Sequence, residues 1–105
     1  MVSELYRACA GLVVVGFPGR APDTELEALI DDGVAGAIFF ARNLGPPAEA
    51  AALVAALKRR AGRPFLAAVD QEGGRVARLR GPPFTAVPAM RVVDTPALAR
   101  RLGQL

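Results

Sequence analysis

Phe65-Leu66-Ala67-Ala68-Val69-Asp70-Gln71-Glu72-Gly73-Gly74, FLAAVDQEGG, passes without interruption from an apolar run into two carboxylates and a pair of glycines. An apolar run with no polar alternation is the pattern of a strand covered on both faces, as in a parallel sheet. Two earlier runs share it, residues 12–17 (LVVVGF) and 37–41 (AIFFA). The gaps between the three runs each leave room for one helix.

Residues 23–34 fill the first gap with DTELEALIDDGV. Thr24 and Glu27 have the spacing of a capping box, in which each side chain satisfies an orphan N–H of the first turn. Leu26, Leu29, Ile30 and Val34 share one helical face, and Gly33 is a natural stop. The second gap holds GPPAEAAALVAALKRRAG (45–62). Pro46 or Pro47 suits its first turn, with Glu49 near the positive end of the helix dipole. Lys58, Arg59 and Arg60 lie near the negative end, Gly62 closes the helix, and Leu53, Val54 and Leu57 form the buried stripe.

Strand, helix, strand, helix, strand with right-handed crossovers is therefore the expected order. A long Gly/Pro-rich loop follows (73–88), and then VVDTPALARRLGQL (92–105), where Asp94 or Thr95 caps, Pro96 opens the turn and Leu98 and Leu102 face inward. The expected fold class is α/β, a single domain over residues 1–105. Three such units make half of a doubly wound sheet or about a third of a (β/α)₈ barrel. A three-strand parallel sheet alone leaves two open edges, so the rest of a larger sheet is an expected partner.

Composition narrows the chemistry. The chain has 105 residues, 52% of them hydrophobic and 22% charged, as in a globular domain. Histidine is absent and Cys9 is the only cysteine. That excludes His-dependent triads, disulfides within the chain and a Cys/His metal cluster, so neither metal nor cofactor is expected. Net charge is +3, and every basic residue except Lys58 is arginine. Arg75, Arg78, Arg80 and Arg91 follow one another with no intervening acid, yet only Phe84 offers a nearby stacking surface. A solvated arginine face, or arginines facing an anionic or hydroxylated small ligand, fits better than nucleic acid. The N-terminal RACAGLVVVGF imitates a signal segment, but its apolar run follows the small residues rather than preceding them. It is also too short to span a bilayer. A cytoplasmic protein without membrane partners is expected.

In parallel α/β folds, ligands meet the C-terminal ends of strands and the loops beyond them. Here that selects residues 17–20, Arg42 with Asn43, and residues 70–78. Asp70 can accept two hydroxyl protons, arginine donates in a fixed fork, and Gly73-Gly74 permits positive φ beside a ligand. A turn carboxylate accepting from loop N–H groups also fits Asp70, and Arg42 could simply pair with an acid. The loop has no phosphate-cradle signature. Asp70 and Glu72, on one loop, would flank only one side of a glycosidic bond, whereas hydrolysis needs carboxyls on both sides.

GLVVVGFPG (11–19), GVAGAIFFARN (33–43), PFLAAVDQEGGRVARL (64–79) and PFTAVPAM (83–90), in this order, resemble the N-terminal domain of glycoside hydrolase family 3. The likeness is strongest to its β-N-acetylhexosaminidase branch. It implies the first three or so β/α units of an incomplete (β/α)₈ barrel. It implies retaining removal of terminal β-linked N-acetylglucosamine from glycans such as cytoplasmic peptidoglycan fragments. By position, Asp70 would hold hydroxyls of the terminal sugar and Arg78 would bind it too. Arg42 and Asn43 would be structural, while Glu72, Gly73, Gly74 and Arg75 would shape or support the loop. The family's Lys-His pair, catalytic histidine and nucleophilic aspartate lie in later segments, so no catalytic residue is expected in this chain. Two other readings stay open: a non-catalytic sugar-binding or assembly fragment, and a β-glucosidase-type member of the same family.

Overall fold

A computed structural model describes residues 2–105, which form two compact units, one running to Val69 and the other Asp70–Leu105. In the first, β1 (Val14–Val15), β2 (Gly36–Phe39) and β3 (Leu66–Val69) form a parallel sheet in the order β1-β2-β3. Val14 pairs with Gly36, and Gly36 through Phe39 run in register with Leu66 through Val69. α1 (Glu4–Ala10) precedes the sheet, and α2 (Thr24–Asp32) and α3 (Pro47–Ala61) make the two crossovers.

Both crossover helices start and stop as their residues demand, with one correction. The α2 cap is Asp23, whose carboxylate accepts from the Leu26 N–H at 2.8 Å, so Thr24 is the first helical residue and no Thr24–Glu27 box forms. A carboxylate one residue earlier meets the same orphan N–H groups and also suits the dipole. Gly33 (φ 110°) and Gly62 (φ 62°) end the helices in the left-handed conformation that glycine adopts without a Cβ penalty.

Leu26, Ile30, Leu53 and Leu57 are buried with Phe17, Val34, Ala37, Phe39 and Phe65 in one core. At its centre Phe17 and Phe39 meet edge to face, ring centroids 5.5 Å apart. That arrangement sets the positive edge of one ring against the negative face of the other.

The strands depart from expectation in three places. β1 keeps only two residues of the 12–17 run, because Leu12 and Val13 donate back to the Cys9 and Ala10 carbonyls and finish α1. Leu12 is 86% exposed. α1 itself was not anticipated; Ser3 caps it through the Tyr6 N–H. It docks on α2 where the Tyr6 hydroxyl bonds Asp32 and Arg7 donates to the Asp31 carbonyl. β2 ends at Phe39 because residues Ala41–Asn43 turn into a 3-10 segment. β3 is not covered on both faces: it is an edge strand, and Leu66 is 61% exposed.

α2 and α3 are also joined by charge. Arg60 makes two hydrogen bonds to the Asp31 carboxylate, 2.6 and 2.9 Å, and reaches Glu27 at 3.5 Å. Hydrogen bonds from Arg60 hold the Asp31 carboxyl below its ordinary value, opposed by burial and aided by the charge of Arg60. A carboxylate depressed in the folded state adds stability above its unfolded pKa and loses it as pH falls through the folded value. Asp31→Asn should therefore unfold with a shallower acid dependence than the parent, with a small difference at neutral pH because the pair is exposed. Urea titrations at several pH values measure this.

In the second unit, β4 (Gln71–Gly73) and β5 (Val76–Ala77) form an antiparallel hairpin, with Gln71 opposite Ala77 and Gly73 opposite Val76. The register shifts between those two pairs, leaving Glu72 as the extra residue of a bulge. Residues 73–88 were expected to form loop throughout, so the hairpin is a second correction. α4 (Pro96–Leu102) begins where the Thr95 hydroxyl accepts from the Leu98 N–H at 3.1 Å, and Leu98 and Leu102 are half-buried. No helix among the described residues is long and apolar enough to cross a membrane.

Candidate functional site

Each unit places some of the sequence-selected residues. In the first, the segments leaving β1 and β2 are tied together by Asn43, which is almost completely buried. Its amide nitrogen donates to the Phe17 and Gly19 carbonyls at 3.0 and 2.6 Å. Its oxygen accepts from the Phe40 N–H at 2.8 Å. One amide thereby satisfies three backbone groups at the ends of two strands, where no ladder partner exists. Arg42 donates to the Phe17 carbonyl as well (3.1 Å), and its guanidinium lies 4.8 Å from the centre of the Phe40 ring. Arg42 is thus engaged by a backbone oxygen and an aromatic face rather than by an acid.

In the second unit, Asp70 and Arg78 stand at the open end of the hairpin. Arg78 Nη2 lies 4.0 Å from Asp70 Oδ2, and both side chains are partly exposed. The Arg78 N–H also faces the Asp70 carbonyl at 3.3 Å. A separation of 4.0 Å is too long for a direct hydrogen bond. It is short enough for one hydroxyl to accept from the guanidinium while donating to the carboxylate.

The turn beyond is shaped by its glycines. Gly73 is buried at φ 95°, and a Cβ there would collide with the Pro88 carbonyl. Gly74, at φ 62°, lies against Ala89, where a Cβ would fall 2.8 Å from the alanine's own. Arg80 donates to the carbonyls of Gly74 and Arg75 at 3.1 and 2.9 Å, holding the turn from outside. Arg75 and Glu72 are exposed, with Glu72 carried outward by the bulge.

Gln71 was not singled out from the sequence. Its Nε2 donates to the Leu79 carbonyl at 2.9 Å, and its Oε1 accepts from the N–H groups of Arg78 and Leu79 at 3.0 and 3.1 Å. Its position between two carboxylates was the available signal, since an uncharged amide there can both donate and accept.

The chain has counterparts among known proteins. The chain is 40% identical over 92 residues to the β-hexosaminidase of Xylella fastidiosa strain M23, an alignment covering 82% of this chain and 28% of that protein. The β-N-acetylglucosaminidase of glycoside hydrolase family 3 from Paenibacillus sp. FPU-7 superposes with a TM-score of 0.74 at 39% identity, covering 84% of this chain and 18% of that one. The curated relatives are named β-hexosaminidases, and the Paenibacillus structure is of a family 3 β-N-acetylglucosaminidase. NagZ from Neisseria gonorrhoeae, solved with N-trifluoroacetyl-D-glucosamine, superposes with a TM-score of 0.68 at 32% identity, covering 77% of this chain and 24% of NagZ. The chain spans about a quarter of the length of the curated β-hexosaminidases it matches. No family model matches it.

Proposed function

We propose that this chain supplies part of the sugar-binding wall of a family 3 glycoside hydrolase. That enzyme removes terminal β-linked N-acetylglucosamine with retention of configuration, from glycans such as cytoplasmic peptidoglycan fragments. Asp70 accepts hydroxyl protons of the terminal sugar and Arg78 donates to the same sugar. The observation that carries this reading is the Asp70–Arg78 pair, 4.0 Å apart and partly exposed, which follows β3 directly in the sequence. The names of its relatives, β-hexosaminidase and β-N-acetylglucosaminidase, support the substrate class.

The chain supplies no acid–base or nucleophile. Histidine is absent, and Glu72 shares a short hairpin with Asp70 rather than opposing it. Those groups belong to the remainder of a (β/α)₈ barrel, of which the three parallel strands are the opening portion and for which the edge of β3 is a seat. N-acetylglucosamine titrated into the purified chain should bind saturably, and Asp70→Ala should weaken binding at least about tenfold, the loss of one charge-assisted hydrogen bond. No saturable binding, or binding indifferent to Asp70→Ala, overturns the reading.

A further inference from the structure

We infer that Gln71 is the positioning residue of this site: its side-chain amide sets the hairpin register that brings Arg78 opposite Asp70. The inference rests on the sugar-binding reading only for its functional consequence, since the geometry concerns the hairpin alone.

The β4–β5 ladder is too short to hold its own register. It has two pairings, Gln71 with Ala77 and Gly73 with Val76, and a bulge between them. Isolated two-stranded hairpins are marginal in water, and a slip of one residue turns every side chain to the opposite face. Arg78 and Leu79 lie just past the last pairing, where the ladder stops supplying partners. Gln71 replaces that ladder. Its oxygen takes both N–H groups and its nitrogen reaches the Leu79 carbonyl. Only the Arg78 N–H has a second acceptor nearby, the Asp70 carbonyl at 3.3 Å. The three side-chain bonds fix the backbone of residues 78–79 against residues 70–71, and the Arg78 guanidinium follows that backbone to within 4.0 Å of Asp70. Asparagine is one methylene too short to span this distance, and glutamate retains the acceptor while losing the donor.

The test compares the parent chain with Gln71→Met, Gln71→Glu, Arg78→Ala and the double variant Gln71→Met/Arg78→Ala. Methionine preserves the bulk of the side chain and removes all three bonds. Amide hydrogen exchange at Arg78 and Leu79 should accelerate at least about tenfold in Gln71→Met. The Gly74 N–H, bonded to the Val87 carbonyl, should be unchanged. Gln71→Glu should keep both amides protected through its remaining acceptor. N-acetylglucosamine affinity should fall about tenfold in Gln71→Met, and the double variant should bind no more weakly than Arg78→Ala alone, because Gln71 acts through Arg78. Unchanged exchange at both amides in Gln71→Met, or losses that multiply in the double variant, would overturn the assignment. Uniformly faster exchange that includes Gly74 would show general loosening and overturn it as well. If the parent binds no sugar, the sugar-binding reading fails while the exchange pattern still decides whether Gln71 positions Arg78.

Discussion

Asn43→Ala is expected to destabilise the first unit by about 3 kcal/mol, the largest single effect among its polar residues. The amide is buried and its three partners are main-chain groups: the Phe17 and Gly19 carbonyls and the Phe40 N–H. Alanine removes all three bonds at once and leaves their main-chain partners to be satisfied by water or not at all. Phe17 retains Arg42 as a donor, so the cost concentrates on Gly19 and Phe40. Because small domains are stable by only about 5–15 kcal/mol in total, such a loss moves the midpoint of unfolding well down the urea axis. Tyr6 is the sole tyrosine and tryptophan is absent, so Tyr6 fluorescence reports on this unit alone. Asn43→Asp separates acceptor from donor. Its carboxylate keeps a partner for Phe40 but sets negative oxygen against two carbonyls. It should be least stable at neutral pH and recover partly in mild acid, where a protonated carboxyl can donate. An Asn43→Ala midpoint equal to the parent's would mean that water replaces the amide without cost.

Gly73→Ala is expected to disrupt the hairpin, destabilising the second unit by about 3 kcal/mol and, at the proposed sugar site, lowering N-acetylglucosamine affinity by more than about tenfold. Two penalties coincide. The residue sits at φ 95°, where a Cβ is strained, and that Cβ would be driven into the Pro88 carbonyl, a backbone atom that cannot rotate aside. Gly62 provides the control. It has φ 62° but open space around its Cβ position, so Gly62→Ala should cost only about 1 kcal/mol from conformation alone. If the two substitutions behave alike in urea unfolding and in sugar titration, the contact with Pro88 is not what the turn depends on.

These substitutions also show what could be read from residue order. The crossover helices were legible because amphipathic spacing, terminal glycines and proline at the first turn are local signals. Gly33 and Gly62 end α2 and α3 as those signals require. The cap at Asp23 was misassigned by one residue because Thr24 offers an equally good side chain, and only backbone conformation distinguishes them. The strand ends were less legible. Leu12 and Val13 look like strand by composition, yet their N–H groups complete α1.

Asp70, Arg78 and the two glycines stood out by residue type and spacing, and so did the likeness to the β-hexosaminidases. The sequence alone determined the parallel α/β order, the boundaries of the two crossover helices to within a residue or two, and the absence of histidine from these 105 residues. These depend on local periodicity and on inventory. Only the tertiary structure decided that Asn43 staples two strand ends separated by more than twenty residues of chain. It alone decided that Gln71 completes a hairpin whose ladder is too short. A side-chain amide carries no mark of its partners in the sequence. Which backbone groups it satisfies depends on the groups left over when the strands end, and that is known only once the chain has folded.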